Sequence, residues 1–84
     1  APDAETATII GAGKSAPLTA LYLKSVRPSL RRLHCVGRSP ERVSALARRL
    51  AAEPALADVT VVTNIRAAEA VAASAIIVTV TTSD

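Results

Sequence analysis

The chain has 84 residues, of which half are apolar, and a formal net charge of +3. A chain of this length makes one domain at most, or part of one, and buries only about 60–65% of the surface that its unfolded form exposes. The apolar residues are nearly all Ala, Val, Leu and Ile, and Tyr22 is the only aromatic. This composition favours small aliphatic layers, as in a buried parallel sheet covered by helices.

Composition also argues against several classes of protein. Cys35 is the single cysteine, which rules out an internal disulfide and fits a reducing compartment. No apolar run approaches the roughly 18 residues that span a bilayer, and no signal-peptide pattern is present. The arginines are spread through turns and one polar helix face, with no aromatic residues between them for base stacking. We therefore expect a cytoplasmic protein with no nucleic-acid or membrane partner.

The first half of the chain predicts two strands, each followed by a helix. Residues 1–5 resemble a frayed lead-in, and the β-branched run from Thr6 to Ile10 predicts the first strand. A helix from Lys14 to Val26 tolerates Pro17 in its first turn. It carries apolar residues at helical spacing, namely Leu18, Leu21, Tyr22 and Val26.

Leu33 to Gly37 predicts the second strand. Ser39 then has the features of an N-cap and Pro40 those of a first helical residue. The helix is predicted to continue to about Ala52. Its apolar stripe follows the spacing i, i+3, i+4, i+7 and consists of Val43, Leu46, Ala47 and Leu50.

The second half continues the same alternation. Asp58 to Thr63 predicts a third strand, and Ile65 to Ala73 a short helix with Asn64 as a possible cap. Ala75 to Val80 predicts a fourth strand, continuous and apolar as in a strand buried on both faces. Alternating strands and helices with right-handed crossovers predict an α/β, Rossmann-like parallel sheet of order 3-2-1-4, with helices on both faces. Because a complete dinucleotide domain has further strands, we interpret residues 1–84 as part of a larger domain.

The most informative motif lies between the first strand and the first helix. Gly11-Ala12-Gly13-Lys14-Ser15-Ala16 matches the pattern G-x-G-x-x-G/A. Gly11 allows the sharp turn, Gly13 lets the backbone approach a pyrophosphate, and Ala16 lets helix and strand pack closely. The anion would lie on the free N–H groups at the start of the helix.

The end of the second strand bears on the choice of cofactor. An acidic residue there selects NAD, but this chain has Gly37-Arg38-Ser39. Arg38 can bind a phosphate in bidentate fashion and Ser39 can donate its hydroxyl, and Arg42 follows in the helix. This pattern favours NADP(H) over NAD(H). The alternative is that Arg38 is a solvated surface residue and Ser39 only a helix cap.

Further candidates follow the fourth strand. Thr79, Val80 and Thr81, with the hydroxyls of residues 82 and 83, lie beside the switch point where ligands bind in open α/β sheets. They contact the ribose or nicotinamide in one interpretation and are simple strand and turn residues in the other. His34 and Cys35 are adjacent in a strand and so face opposite sides. No metal site and no catalytic pair is predicted.

Lys14-Ser15 also permits a different interpretation. Residues 8–15 resemble a P-loop, G-x-x-x-x-G-K-S, whose first glycine is replaced by Thr8. The strand-like character of residues 8–10 leaves too short a loop to wrap a β-phosphate. The run of residues 76–82 also lacks the Asp that would hold Mg²⁺. A P-loop nucleotide binder is therefore the weaker alternative.

In order and spacing, several segments together resemble the ornithine cyclodeaminase/mu-crystallin family. They are Ile9-Ile10-Gly11-Ala12-Gly13, Ala16, Val26-Arg27-Pro28, Gly37-Arg38-Ser39-Pro40-Glu41-Arg42, Glu69-Ala70-Val71 and Ile76-Ile77-Val78-Thr79. The chain departs from the usual family pattern at Ser15, where members carry Gln, and at Ala75, where they carry Asp. Pro17 is also unusual because it removes a backbone donor.

This resemblance implies the NAD(P)-binding Rossmann part of a larger, usually homodimeric protein. It implies hydride transfer at the carbon bearing nitrogen of an amino acid or cyclic imine, as in ornithine cyclodeaminases, ketimine reductases and alanine dehydrogenases. The implied cofactor contacts are residues 11–16 at the pyrophosphate, Arg38 and Ser39 at the 2′ end of the adenosine, and residues 79–81 towards the nicotinamide. Substrate and catalytic residues would lie in another domain. A non-catalytic dinucleotide-binding protein of mu-crystallin type is the second possibility.

Overall fold

The computed structural model describes residues 3–80, which form one four-stranded parallel sheet with three α-helices. The elements in chain order are β1 (Asp3–Ile10), α1 (Ala16–Val26), β2 (Arg32–Val36), α2 (Pro40–Ala51), β3 (Thr60–Val62), α3 (Ala67–Ala73) and β4 (Ser74–Thr79). A single 3₁₀ turn, Pro54–Leu56, precedes β3 and was not predicted. The strand order is β3-β2-β1-β4, which confirms the predicted α/β architecture.

The helices lie on both faces of the sheet. Helices α1 and α2 contact each other on one face, whereas α3 contacts β1, β2 and β4. The main apolar core lies under α1 and α2, where Ile9, Leu33 and Cys35 are fully buried. The first two crossovers thus run in one direction from β1 and the third runs back past it, which creates the switch point between β1 and β4.

Helix α2 follows the prediction closely. Val43, Leu46 and Leu50 are buried, and Ala47 is half-buried. Ser39 is the N-cap, and its Oγ accepts a hydrogen bond from the Arg42 N–H at 3.3 Å. Cap and stripe therefore fix both the start and the orientation of α2.

The predicted apolar face of α1 is wrong for three of its four residues, and only Leu21 packs partly buried against the core. Leu18, Tyr22 and Val26 are 70%, 66% and 54% exposed, whereas Ala16, Ala20 and Leu23 are buried. Small alanine side chains let this helix approach the sheet closely. Leu18, Tyr22 and Val26 consequently face away from the core.

Other differences concern the ends of elements. Strand β1 begins at Asp3, so the predicted lead-in is wrong for residues 3–5. Helix α3 begins at Ala67 with Arg66 as N-cap, and Asn64 is not its cap. Strand β4 was predicted to be buried on both faces, but Ala75, Ile77 and Thr79 are exposed. The physical reason is position, because β4 is an edge strand that α3 covers only in part.

A buried polar cluster joins α3 to the sheet. The Thr8 hydroxyl lies 2.6 Å from the Ser74 Oγ, and both hydroxyls reach the Ala70 carbonyl, at 3.1 Å and 2.7 Å respectively. The Ser74 N–H donates to the Val71 carbonyl instead. The two side chains therefore satisfy a carbonyl that the end of α3 leaves without its usual partner.

The amino edge of the sheet is held by a second polar cluster. The Lys24 ammonium donates to the Pro28 carbonyl at 2.8 Å, to the Leu30 carbonyl at 3.0 Å and to the Asp58 carboxylate at 3.1 Å. Arg31 reaches the same three groups. Hydrogen bonding to Lys24 holds the pKa of Asp58 below its usual value. These contacts tie the α1–β2 connection to the residues that precede β3.

Over residues 3–80, no helix is long and apolar enough to cross a bilayer.

Candidate functional site

The carboxyl ends of the parallel strands meet at one edge of the sheet and surround a crevice of about 390 Å³. The loop between β1 and α1, the loop between β2 and α2, and the end of β4 form its walls. Its lining consists of Ile10, Gly11, Ala12, Gly37, Arg38, Ser39, Arg42, Thr79 and Val80. The crevice therefore lies at the switch point, where open α/β sheets bind their ligands.

The β1–α1 loop has the backbone conformation that its glycines predict. Gly11 has a φ of 108°, in the left-handed region that favours glycine. Its N–H donates to the Val36 carbonyl at 2.6 Å, and the Ala16 N–H donates to the Gly13 carbonyl at 3.1 Å. Ala16 is fully buried, as close packing of helix and strand requires.

Backbone donors remain available in this loop. The N–H groups of residues 12–15 donate to no backbone carbonyl within residues 3–80, and Pro17 has no N–H. An anion seated here would therefore be held by the loop rather than by the first turn of α1. Ser15 is the N-cap of α1 and its side chain makes no capping hydrogen bond.

The position of Thr8 bears on the P-loop alternative. Thr8 lies inside β1, is fully buried and is hydrogen-bonded beneath α3. The loop is thus limited to residues 11–15, which is too short to wrap a β-phosphate in the P-loop manner. The structure favours the dinucleotide motif.

The β2–α2 loop supplies the polar wall of the crevice. Arg38 is exposed and forms no ion pair with the described part of the chain. The Ser39 Oγ uses a lone pair to accept from Arg42, so its own proton remains free to donate. A Cβ at Gly37 would lie 2.9 Å from Cγ2 of the buried Val43. Glycine at this position lets α2 begin close to the end of β2.

A second cavity, which was not predicted from the sequence, lies beside the first. It measures about 380 Å³ and lies between the start of α2 and the residues that follow β3. Thr63, Asn64 and Ile65 line one side, and Gly37 borders both cavities. The signal was available, because these residues follow a parallel strand at the same carboxyl edge.

Four residues of the glycine motif do not line the crevice. Gly13 and Lys14 line a groove of about 480 Å³ between the β1–α1 loop and α2, together with Arg42 and Arg49. Arg42 borders both this groove and the crevice. Ser15 and Ala16 line neither. Thr81 and the hydroxyls of residues 82 and 83 lie outside the described residues.

The remaining reactive side chains are remote from this edge. Burial raises the pKa of the Cys35 thiol to about 11, so it is protonated at neutral pH. His34 is buried on the face of the sheet opposite to Cys35, and burial lowers the pKa of His34. Its Nδ1 atom is buried and has no hydrogen-bond partner among the residues that the structure describes. Within residues 3–80, no three His, Cys, Asp or Glu side chains cluster as metal ligands do.

Comparison with known proteins adds one finding. The model of the ornithine cyclodeaminase/mu-crystallin family matches residues 1–84, the whole sequence. No curated protein and no solved structure matches the chain. The family match confirms the resemblance seen in the glycine loop and in the segment after β2.

Proposed function

Because the chain belongs to the ornithine cyclodeaminase/mu-crystallin family, we propose that it binds NADP(H) in the crevice at the carboxyl edge of its sheet. Membership supports an NAD(P)-binding role of the cyclodeaminase or oxidoreductase type. The observation that carries the proposal is the crevice itself. It brings the glycine loop, the polar β2–α2 loop and the end of β4 together at the switch point.

The hydrogen-bond donors of the β1–α1 loop fit a dinucleotide. Four consecutive N–H groups, those of residues 12–15, have no backbone acceptor in the described chain and suit a pyrophosphate. The neighbouring cavity beside Thr63, Asn64 and Ile65 suits the adenine ring, because it adjoins the crevice across Gly37, which has no side chain. Adenosine and pyrophosphate would then follow the sheet edge from β3 to β1.

The β2–α2 loop supports the preference for NADP(H). Arg38 lines the crevice and has no anionic partner among residues 3–80. A phosphate at the 2′ position of the adenosine would meet its guanidinium, which binds phosphate through two parallel hydrogen bonds. The free Ser39 proton supplies a further donor. An acidic residue, which would select NAD, is absent from residues 36–39.

The nicotinamide end of the cofactor lies towards β4 in this proposal, where Thr79 is exposed and borders the crevice. The cofactor supplies the hydride chemistry when bound, and residues of this chain bind and orient it. The substrate is an amino acid or cyclic imine that reacts at the carbon bearing nitrogen. Substrate-binding and dimer-forming residues belong to a part of the protein beyond this sequence. The proposal places the protein in the cytoplasm, because a single cysteine fits a reducing compartment.

A second candidate function is a non-catalytic dinucleotide-binding protein of the mu-crystallin type. The observation that favours it is the reduced number of donors near the pyrophosphate. Gly11 and Ala16 already donate to Val36 and Gly13, and Pro17 has no N–H. Hydride transfer from NADPH to a cyclic imine by the full-length protein distinguishes the two, because the second function predicts binding without turnover.

Calorimetric titration with NADPH, NADH and Mg·ATP in one buffer tests the proposal. Tightest binding to NADPH is expected. A preference for Mg·ATP would instead support the P-loop alternative, and equal affinities for NADPH and NADH would remove the role given to the β2–α2 loop.

Arg38→Asp makes the test specific. We expect the NADPH preference over NADH to fall by about 1–3 kcal/mol, the range of one or two charge-assisted hydrogen bonds. Arg48→Asp is the matched control, because Arg48 is exposed on α2 and lines a different surface near Glu41. An unchanged NADPH/NADH ratio in Arg38→Asp would make Arg38 a surface charge only.

A further inference from the structure

The groove beside the crevice is strongly cationic. Its charged lining consists of Lys14 from the β1–α1 loop and Arg42 and Arg49 from α2, and within residues 3–80 no acidic side chain lines it. Lys14 and Arg49 form no ion pair with any described residue. Three positive charges without a lining carboxylate create a local field that attracts an anion.

Lys14 occupies a position different from that of the residues that line the crevice. Lys14 belongs to the glycine loop, but it borders the groove on the α2 side and does not border the crevice. Ala12 and Arg42 border both spaces, and Arg42, in the first turn of α2, is the charged residue of the two. An anion that contacts Arg42 from the crevice side can therefore also contact Lys14 from the groove side.

Only one group of a dinucleotide fits that position. The end of β2, with Arg38 and Ser39, borders the crevice beside Arg42, and the 2′ substituent of the adenosine ribose lies at this strand end in Rossmann sheets. The pyrophosphate lies over the loop backbone instead. A phosphate monoester held at the 2′ position carries up to two negative charges, which suits cations on two sides.

We propose that Lys14 is a determinant of cofactor specificity that binds the 2′-phosphate of NADP(H) together with Arg42. This inference rests on the proposed function. The 2′-phosphate is then held between two elements, with Arg38, Ser39 and Arg42 on the β2–α2 side and Lys14 on the β1–α1 side. Arg49 lies seven residues beyond Arg42, about 10 Å along the helix axis, and contributes to the field without direct contact.

The test measures dissociation constants of 2′,5′-ADP and 5′-AMP, and of NADPH and NADH, for the unmodified chain and for Lys14→Gln. We expect Lys14→Gln to weaken 2′,5′-ADP and NADPH about tenfold, as the loss of one hydrogen bond to a charged group implies. The affinities for 5′-AMP and NADH should change less than about twofold. Arg48→Gln is the control for the same change of charge on a surface outside the groove, and should leave all four constants within about twofold. Circular dichroism spectra of the variants check that the fold is kept.

The outcomes separate this inference from the proposed function. Equal weakening of NADPH and NADH by Lys14→Gln would place Lys14 at the pyrophosphate, and no change in either would make it a surface charge. Both results overturn the inference while NADPH binding by the unmodified chain still supports the proposed function. An unmodified chain that binds no dinucleotide, or that binds NADPH and NADH equally, overturns both.

Discussion

The hydroxyls of Thr8 and Ser74 share one acceptor, which makes their energetic coupling predictable. Three contacts are present: Thr8 to Ala70, Ser74 to Ala70, and Thr8 to Ser74. The two hydroxyls carry two protons between them, so only two of the three contacts can be hydrogen bonds at any moment. One hydroxyl donates to the Ala70 carbonyl and the other donates to the first hydroxyl.

The expected magnitudes follow from this count. Thr8→Val removes one hydrogen bond and still leaves Ser74 at 2.7 Å from the Ala70 carbonyl. Ser74→Ala leaves Thr8 at 3.1 Å from it. Each single change should cost about 1 kcal/mol of unfolding free energy, the net value of one hydrogen bond. The double variant removes both hydroxyl donors from a buried carbonyl and should cost about 3 kcal/mol, because a carbonyl with fewer donors carries a desolvation penalty.

The cost of the double variant should therefore exceed the sum of the single costs by about 1 kcal/mol. Urea unfolding followed by circular dichroism measures the four free energies, and equal m-values across the set show that the unfolded states are comparable. Thr19→Val is the control, since Thr19 bonds the Ser15 carbonyl at an exposed position, and should cost less than about 0.5 kcal/mol. Strictly additive costs would show that the Ala70 carbonyl is not shared.

Two further predictions concern the same fold. Burial, followed by the charge of Arg32, lowers the pKa of His34 in the folded state. Below pH 6.5 the unfolded chain therefore binds more protons than the folded one. The free energy of unfolding should be unaffected by His34 above pH 6.5 and should fall as the pH falls below it. We expect the free energy of unfolding to change by up to about 1.4 kcal/mol per pH unit below pH 6.5. His34→Gln should reduce this pH dependence, as measured by urea unfolding between pH 5 and 8. An unchanged pH dependence in the variant would show that other groups cause it. Lys24→Met should cost about 1–3 kcal/mol of unfolding free energy, because the Lys24 side chain is only 15% exposed and its ammonium donates to two backbone carbonyls. Arg31→Met removes similar contacts at a half-exposed side chain and should cost less than about 1 kcal/mol, so equal losses would contradict the weight given to burial.

The sequence was sufficient for the topology because local signals and the global pattern agree. The Ser39 cap, the proline at the start of α2 and its apolar stripe define one helix without reference to the rest of the chain. The conformation of Gly11 also follows from its motif. Such features depend on neighbouring residues only, so they can be predicted from a single sequence.

The features that were missed depend on distant residues. Leu18 and Tyr22 have the spacing of a buried face, but α1 turns its alanines to the sheet, because the close approach of helix and strand is set by tertiary packing. Whether Ile77 is buried or exposed depends on which element lies beside β4. The groove next to Lys14 exists only because α2 packs beside α1, two elements joined through an intervening strand. Spacing along the chain carries no direct information on these distances.

The polar cluster around Lys24 lies at the amino edge of the sheet, opposite the crevice. Its ion pairs and carbonyl contacts hold the connections that lead into β2 and β3, whereas the loops at the carboxyl edge end in exposed residues such as Arg38. Under the proposed function, the contacts that stabilise the fold and the residues that select the cofactor thus lie at opposite ends of the same strands. Under the same proposal, a programme of directed evolution could exchange Lys14 or Arg38 to alter cofactor choice while the anchoring contacts stay intact. Altered selectivity would then be reached through substitutions that leave thermal tolerance largely unchanged.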